Sequence, residues 1–145
     1  MATRREFVKS GCLVCLGGVA GIGTLLEACS PKMLPILQLA AQNVPVLKVS
    51  ADKFIVEKTN LLIVRSADLE HEILLVKKNE GGYQALYLQC THEGLSLTPT
   101  SSQIYCTAHG SAFDFEGNVL IEPALKPLKK FKTELVNEEI VIHLI

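Results

Sequence analysis

Two short motifs of this 145-residue chain combine a cysteine with a histidine. In the first motif Cys90 stands two residues before His92, and in the second Cys106 stands three residues before His109. Thiolates and imidazoles are ligands of zinc and of the iron in iron–sulfur clusters. Because each motif supplies one ligand of each kind, the spacing predicts a single metal centre where the tips of two loops meet.

A glycine follows each motif closely, Gly94 in the first and Gly110 in the second. Glycine has no Cβ, so the backbone can bend sharply there and approach a bound group closely. Backbone N–H groups freed by such turns can donate to sulfur, which tunes the reduction potential of a cluster. The glycines therefore favour two tight loops around a metal centre.

Structural zinc is the main alternative for these four side chains. Common zinc patterns join Cys to Cys and His to His, whereas both pairs here are mixed. A catalytic Cys–His pair is a weaker alternative, because it does not explain a second matched pair. The remaining histidines, His71 and His143, have no cysteine or carboxylate motif of suitable spacing, and we interpret them as ordinary strand or turn residues.

The elements that carry these loops are predicted to be strands. Short apolar runs recur from residue 46 onward, with turns containing Gly and Asn between them. No segment after residue 45 has a convincing helical period. The predicted fold class is therefore all-β, with small antiparallel sheets and a two-loop subdomain for the metal centre. The predicted strands are residues 46–49, 54–56, 61–64, 72–77, 83–88, 104–105, 112–115, 119–121, 128–135 and 139–144.

The first 29 residues are typical of an export signal or a membrane anchor. Arg4 and Arg5 belong to a basic start, and a mostly apolar, glycine-rich run covers residues 10–26. This start resembles a twin-arginine signal, which an export receptor reads. Because that route carries proteins already folded, it suits a protein whose metal cluster is assembled in the cytoplasm.

The end of this leader, Leu26-Glu27-Ala28-Cys29, resembles a bacterial lipobox and predicts a lipoprotein with Cys29 as the lipidated residue. One alternative is an uncleaved anchor helix, which needs about 20 apolar residues. Another is cleavage elsewhere, which would release a soluble protein. Cys12 and Cys15 lie within the apolar run, and we interpret them as small hydrophobic residues.

Residues 30–45 are interpreted as a tether that joins the leader to a domain of residues 46–145. Pro31, Pro35 and Pro45 interrupt this stretch, and proline does not suit a helix interior. Between the prolines, residues 34–41 are predicted as a short helix.

The charge balance does not favour a nucleic-acid partner. The formal net charge is −1, from 14 basic and 15 acidic residues, and no basic stripe stands out. One local cluster of lysines near the C-terminus is interpreted as a solvated strand face. Its members are Lys126, Lys129, Lys130 and Lys132.

The stretch of residues 90–131 resembles the Rieske [2Fe–2S] iron–sulfur proteins. The matching residues lie in both motifs and just after them, with Ser111, Phe113-Asp114 and Pro123-Ala124 in addition to the ligands and glycines. The resemblance implies one [2Fe–2S] cluster, with cysteines on one iron and histidines on the other. It also implies that the proline-containing segment forms a loop over the cluster.

Three positions depart from the high-potential members of that family. Leu95 and Ala108 stand where those proteins have two cysteines joined as a disulfide, and Phe113 stands where they have a tyrosine that donates to a ligating cysteine. Ser111 is retained as a donor to a bridging sulfide. Since fewer hydrogen bonds reach sulfur, we expect a potential below the top of the Rieske range of about −150 to +300 mV.

The resemblance implies one-electron transfer, with a partner supplying the other redox centre. Together with the leader it predicts an exported, membrane-tethered protein on the periplasmic or cell-envelope face. We expect a subunit or partner of a quinol-oxidising or other respiratory oxidoreductase, and at most the iron–sulfur subunit of such an enzyme. The alternatives are a ferredoxin-like donor to an oxygenase and a structural zinc-binding interaction module.

Overall fold

The computed structural model describes residues 33–41 and 45–145. The predictions for the leader, including the twin-arginine start and lipidation of Cys29, lie outside these residues. Within them, no helix is long and apolar enough to cross a membrane.

Strands make up most of the described secondary structure, so the all-β prediction is confirmed. A short helix, α1, joins the second and third strands and spans Asp52–Val56. The strands are β1 (Ile36–Leu39), β2 (Val46–Ser50), β3 (Leu61–Ser66), β4 (Ile73–Lys77), β5 (Tyr83–Tyr87), β6 (Thr98–Pro99), β7 (Ile104–Tyr105), β8 (Ala112–Phe113), β9 (Val119–Ile121), β10 (Lys130–Val136) and β11 (Glu139–His143).

The larger sheet has the order β1-β3-β4-β5-β10-β11-β2. Its neighbours are antiparallel except β1, which lies parallel to β3 with Ile36 opposite Ile63. Side chains alternate between the faces of each strand, so Leu74 and Leu75 point to opposite sides. Each face of the sheet packs against a different set of apolar side chains, and the sheet therefore separates two apolar cores.

The first of these, which we call the base core, fills the space inside the larger sheet and includes Phe54 of α1. Its buried members are Leu47, Val49, Phe54, Leu62, Val64, Ile73, Leu75, Ala85, Phe131, Ile140 and Ile142. The second, which we call the loop-side core, contains both motif cysteines. Its buried members are Leu61, Ile63, Leu74, Leu86, Leu88, Cys90, Leu97, Ile104, Cys106, Phe113, Ala124 and Leu128.

The smaller sheet has the order β6-β7-β8-β9 and carries the two motifs. The first motif lies between β5 and β6, and the second lies in the turn between β7 and β8. The inner face of this sheet, with Ile104 opposite Phe113, packs into the loop-side core. The smaller sheet is thus the two-loop subdomain that the motifs predicted.

The helix predicted over residues 34–41 is wrong, because Ile36–Leu39 forms strand β1 within the stretch interpreted as a tether. The run has few strand-forming residues, but its backbone pairs with the free edge of β3. Leu37 and Leu39 then pack against the base core while Ile36 and Gln38 stay exposed. This alternation has a period of two, and it depends on β3, which is distant in sequence.

The strand predicted over residues 54–56 is also wrong, since these residues end helix α1. Ile55 and Val56 favour strands locally, yet both are exposed here. Burial of Phe54 in the base core, with its ring 5.2 Å from that of Tyr83, outweighs their preference. Strand β6 was not predicted, because it has only two residues and one of them is Pro99, a residue type that disfavours strands.

Candidate metal centre

The first loop, residues 90–95, is closed by two backbone hydrogen bonds. The N–H of Cys90 donates to the carbonyl of Leu95 over 2.7 Å, and the N–H of Gly94 donates to the carbonyl of Cys90 over 2.8 Å. Gly94 has a φ of +76°, a conformation that side chains with a Cβ rarely adopt. The glycine is therefore needed for the turn that returns the chain to the cysteine.

The second loop, residues 106–111, repeats this closure. The N–H of Cys106 donates to the carbonyl of Ser111 over 2.8 Å, and the N–H of Gly110 donates to the carbonyl of Cys106 over 3.0 Å. Gly110 has a φ of +84°. Both loops thus place a cysteine at the start and a left-handed glycine four residues later, although the histidine stands at a different position in each.

The two loops meet as predicted, and they segregate sulfur from nitrogen. Cys90 and Cys106 are buried at 2% and 1% exposure, and both are free thiols. His92 and His109 are exposed, with ring centroids 5.1 Å apart and planes at 89°. Two buried thiols and two exposed imidazoles on facing loops are the donor set that a Cys₂His₂-ligated [2Fe–2S] cluster requires.

A third segment, residues 122–127, lies against both loops. The N–H of Ala124 donates to Ser111 Oγ over 3.0 Å, and the hydroxyl of Thr91 donates to the carbonyl of Lys126 over 2.6 Å. Since Ser111 accepts from Ala124, its own hydroxyl proton is left available to donate. The segment predicted as a loop over the cluster therefore ties the two motifs together.

The positions that depart from the high-potential pattern behave differently from one another. Phe113 is fully buried in the loop-side core beside the two cysteines and offers no hydrogen-bond donor. Leu95 and Ala108 are exposed at the loop tips. No side chain at any of the three positions can donate to sulfur.

Glu93 is a residue of this site that the sequence analysis did not single out. Its Oε2 lies 3.5 Å from Nδ1 of His109, and ligand atoms of His92, Glu93 and His109 lie within 4.8 Å of one another. Its position between a motif histidine and the glycine was visible in the sequence. Its proximity to the opposite loop was not, because it depends on how the loops meet.

His71 and His143 lie outside the two loops. The ring of His143 belongs to β11, with its Nε2 3.6 Å from a carboxylate oxygen of Glu134. His71 lies in the connection between β3 and β4, and its Nδ1 is 2.9 Å from Ser96 Oγ, just past the first loop. The four lysines interpreted as a solvated face are all exposed.

Comparison with known proteins places the chain in a family. The family model of the Rieske [2Fe-2S] domain matches residues 46–132, which is more than half of the chain. A curated relative, the cytochrome b6-f complex iron-sulfur subunit of Chlorobaculum thiosulfatiphilum, is 28% identical over 75 residues, covering 50% of this chain and 41% of that protein. The chain therefore spans about two fifths of the length of that relative.

Solved structures share the fold. The plasma membrane Rieske protein PetC3 of Synechocystis PCC 6803 has a TM-score of 0.55 at 23% identity, over 66% of this chain and 97% of that one. A chain from the complex of reduced oxygenase and oxidized ferredoxin in carbazole 1,9a-dioxygenase has a TM-score of 0.51 at 23% identity, over 70% and 95%. With the matched family model and the two facing loops, the chain belongs to the Rieske [2Fe-2S] domain family and binds one [2Fe–2S] cluster.

Proposed function

We propose that Cys90, His92, Cys106 and His109 are the four ligands of the cluster. The supporting observation is the arrangement of the two loops, which have matching backbone closures, buried thiols and exposed imidazoles 5.1 Å apart. The two thiolates suit one iron and the two imidazoles the other. The mixed ligand pairs disfavour zinc, and membership of the Rieske family removes the structural zinc module from consideration.

When bound, the cluster takes up and releases one electron. The loop-side core shields the cysteines from water, which keeps the sulfur side in an apolar environment. The imidazoles of His92 and His109 form the exposed side, so a redox partner approaches from their edge. Thr91 and Ser111 hold the segment of residues 122–127 against the loops and limit water access from that direction.

The ligand assignment is tested by EPR and iron analysis of the full chain reduced with dithionite. The expected spectrum is a rhombic signal with the low average g of a mixed Cys/His cluster. Cys90→Ser, Cys106→Ser, His92→Ala and His109→Ala each abolish that signal, while Cys15→Ser, outside the family-matched region, retains it. Wild-type signal in any of the four ligand variants, with circular dichroism showing a folded chain, would remove that residue from the ligand set.

We propose further that the protein is exported and tethered by its N-terminus, and that it exchanges electrons with a membrane complex. The twin-arginine-like start and the lipobox-like Cys29 support this. The named relatives are a plasma membrane Rieske protein and a subunit of a cytochrome b6-f complex.

Access for the partner is provided by the exposed imidazoles of His92 and His109. A respiratory, quinol-oxidising complex is the partner class that combines this exposed edge with an exported Rieske protein.

Cell fractionation and mass spectrometry of the mature N-terminus test the tether. The expected result is a membrane-bound protein whose first residue is a lipidated Cys29. Cys29→Ala releases it or leaves the precursor unprocessed, and Arg4→Lys with Arg5→Lys retains it in the cytoplasm. A cytoplasmic wild-type protein with an intact N-terminus would instead support a ferredoxin-like donor to an oxygenase, a role consistent with the fold similarity to the carbazole dioxygenase complex.

A further inference from the structure

The first loop has two supporting legs of unequal strength. One leg continues β5, and the N–H of Leu88 donates to the carbonyl of Glu72 at the start of β4. The other leg, at Ser96 and Leu97, attaches through the N–H of Leu97, which donates to the carbonyl of Leu88, and through an isolated bridge between Gln89 and Ser96. The second leg continues into β6 of the smaller sheet and does not itself pair with the larger sheet.

His71 reaches this second leg from the larger sheet. Its Nδ1 lies 2.9 Å from Ser96 Oγ. The ring packs edge-to-face on Tyr87 with centroids 5.5 Å apart, and the backbone N–H of His71 lies 3.3 Å from the Tyr87 hydroxyl. Tyr87 in turn packs edge-to-face on Phe131 of the base core. Two aromatic rings in succession thus pack behind the imidazole that contacts the loop.

The second ring nitrogen of His71 argues that packing alone does not explain the residue. Nε2 is buried and has no hydrogen-bond partner among the residues that the structure describes, an arrangement that carries a penalty in folded proteins. Phenylalanine would fill the same space without that penalty. A cavity of about 740 Å³, lined by His71, Ser96 and Leu97, also lies beside this contact. Leu97 is buried in the loop-side core, but Ser96 is exposed and is not held by close packing. The hydrogen bond to Ser96 is what the imidazole adds.

Ser96 is well placed to transmit this restraint to the candidate ligands. It follows Leu95, whose carbonyl accepts the hydrogen bond from the N–H of Cys90, and it stands four residues after His92. Fixing Ser96 therefore fixes the acceptor that closes the loop around Cys90. This contact reaches the first loop directly, whereas the second loop is held through Ser111 and Ala124.

We propose that His71 is a positioning residue for the cluster. Through Ser96 it holds the second leg of the first loop, and so it sets the placement of Cys90 and His92. The inference rests on the proposed ligand role of those two residues. The contact between His71 and Ser96 belongs to the folded chain itself, and hydrogen–deuterium exchange measures it separately from the ligand roles.

The test uses hydrogen–deuterium exchange of the cluster-loaded full chain, followed by mass spectrometry. His71→Phe keeps the ring and removes the hydrogen bond, and Ser96→Ala removes the partner. Each is expected to speed exchange in residues 88–97 by about tenfold, the effect of one lost hydrogen bond, and to broaden the EPR features of the reduced cluster. The double variant adds little to either single variant, because both remove the same contact.

Three controls separate positioning from general destabilisation. Exchange in residues 104–113 is expected to stay unchanged, and Ser96→Thr keeps the hydroxyl and behaves as wild type. His143→Phe replaces a histidine of β11, outside both loops. Unchanged exchange in residues 88–97, an equal rise in both loops, or an EPR spectrum identical to wild type would overturn the proposal. Absence of the Rieske EPR signal from the reduced wild-type chain would instead contradict the proposed ligand set.

Discussion

At the scale of single residues, the reduction potential depends on which side chains can donate hydrogen bonds to sulfur. Ser111 keeps a proton available because its oxygen accepts from the N–H of Ala124. Phe113 is fully buried in the core that holds Cys90 and Cys106, and its side chain has no hydrogen-bond donor. Since hydrogen bonds to sulfur favour the reduced cluster, we expect the midpoint to lie below the top of the Rieske range.

Phe113→Tyr tests this dependence. A hydroxyl at this buried position needs an acceptor, and the sulfur atoms of Cys90 and Cys106 belong to the same core. One added hydrogen bond of about 1 kcal/mol corresponds to a rise of about 40 mV for a one-electron couple. Protein-film voltammetry measures the shift, and Phe115→Tyr, which is only partly buried, is the matched control. A midpoint equal to wild type, or an equal rise in the control, would contradict the interpretation.

At the scale of elements, the β8–β9 turn connects the smaller sheet to the rest of the domain. The N–H of Gly117 donates to the carbonyl of Asp114, and its own carbonyl accepts from the N–H of Leu128 in the loop-side core. Gly117 has a φ of +83°, and a Cβ there would lie 3.0 Å from Leu86 Cδ2. The turn thus needs glycine for two reasons, its backbone conformation and its close packing.

Gly117→Ala is therefore expected to destabilise the chain more than Gly81→Ala. Gly81 has a similar φ of +90°, but a Cβ added there would have no atom of the described residues within 4 Å, so alanine meets only the left-handed backbone penalty of about 1 kcal/mol. At Gly117 crowding adds to it, for a total of about 2–4 kcal/mol. Urea denaturation followed by circular dichroism compares the two variants. Equal losses would show that packing at the turn is unimportant.

At the scale of the whole molecule, one sheet serves two cores, and only one of them contains the candidate ligands. Leu74 and Leu75 are adjacent on β4 and fully buried, yet Leu74 belongs to the loop-side core and Leu75 to the base core. Because the faces alternate along the strand, substitutions of these two residues distinguish an effect on global stability from an effect on the support of the cluster.

Leu74→Ala and Leu75→Ala are each expected to lower the free energy of unfolding by about 2–5 kcal/mol, as for other large-to-small core substitutions. Leu74→Ala should in addition broaden the EPR features and speed cluster loss, whereas Leu75→Ala should leave the spectrum as in wild type. Urea titration and EPR of the same samples test both statements. A spectrum that changes equally in the two variants would mean that the cores are not independent.

What the sequence determined by itself is local. The spacing of cysteine and histidine and the glycines that follow them predicted the two loops, and the short apolar runs separated by turns predicted the all-β fold. The ligand roles remain predictions, although the structure brings all four side chains to one place.

What the tertiary structure decided are contacts between segments distant in sequence. Ile36–Leu39 forms a strand only because β3 offers a free edge, and residues 54–56 are helical because Phe54 is buried in the base core. The pairs Thr91–Lys126, Glu93–His109 and His71–Ser96 join positions 16 to 35 residues apart. Local preference carries no information about such pairs, because their energy depends on how the two sheets and their loops pack together.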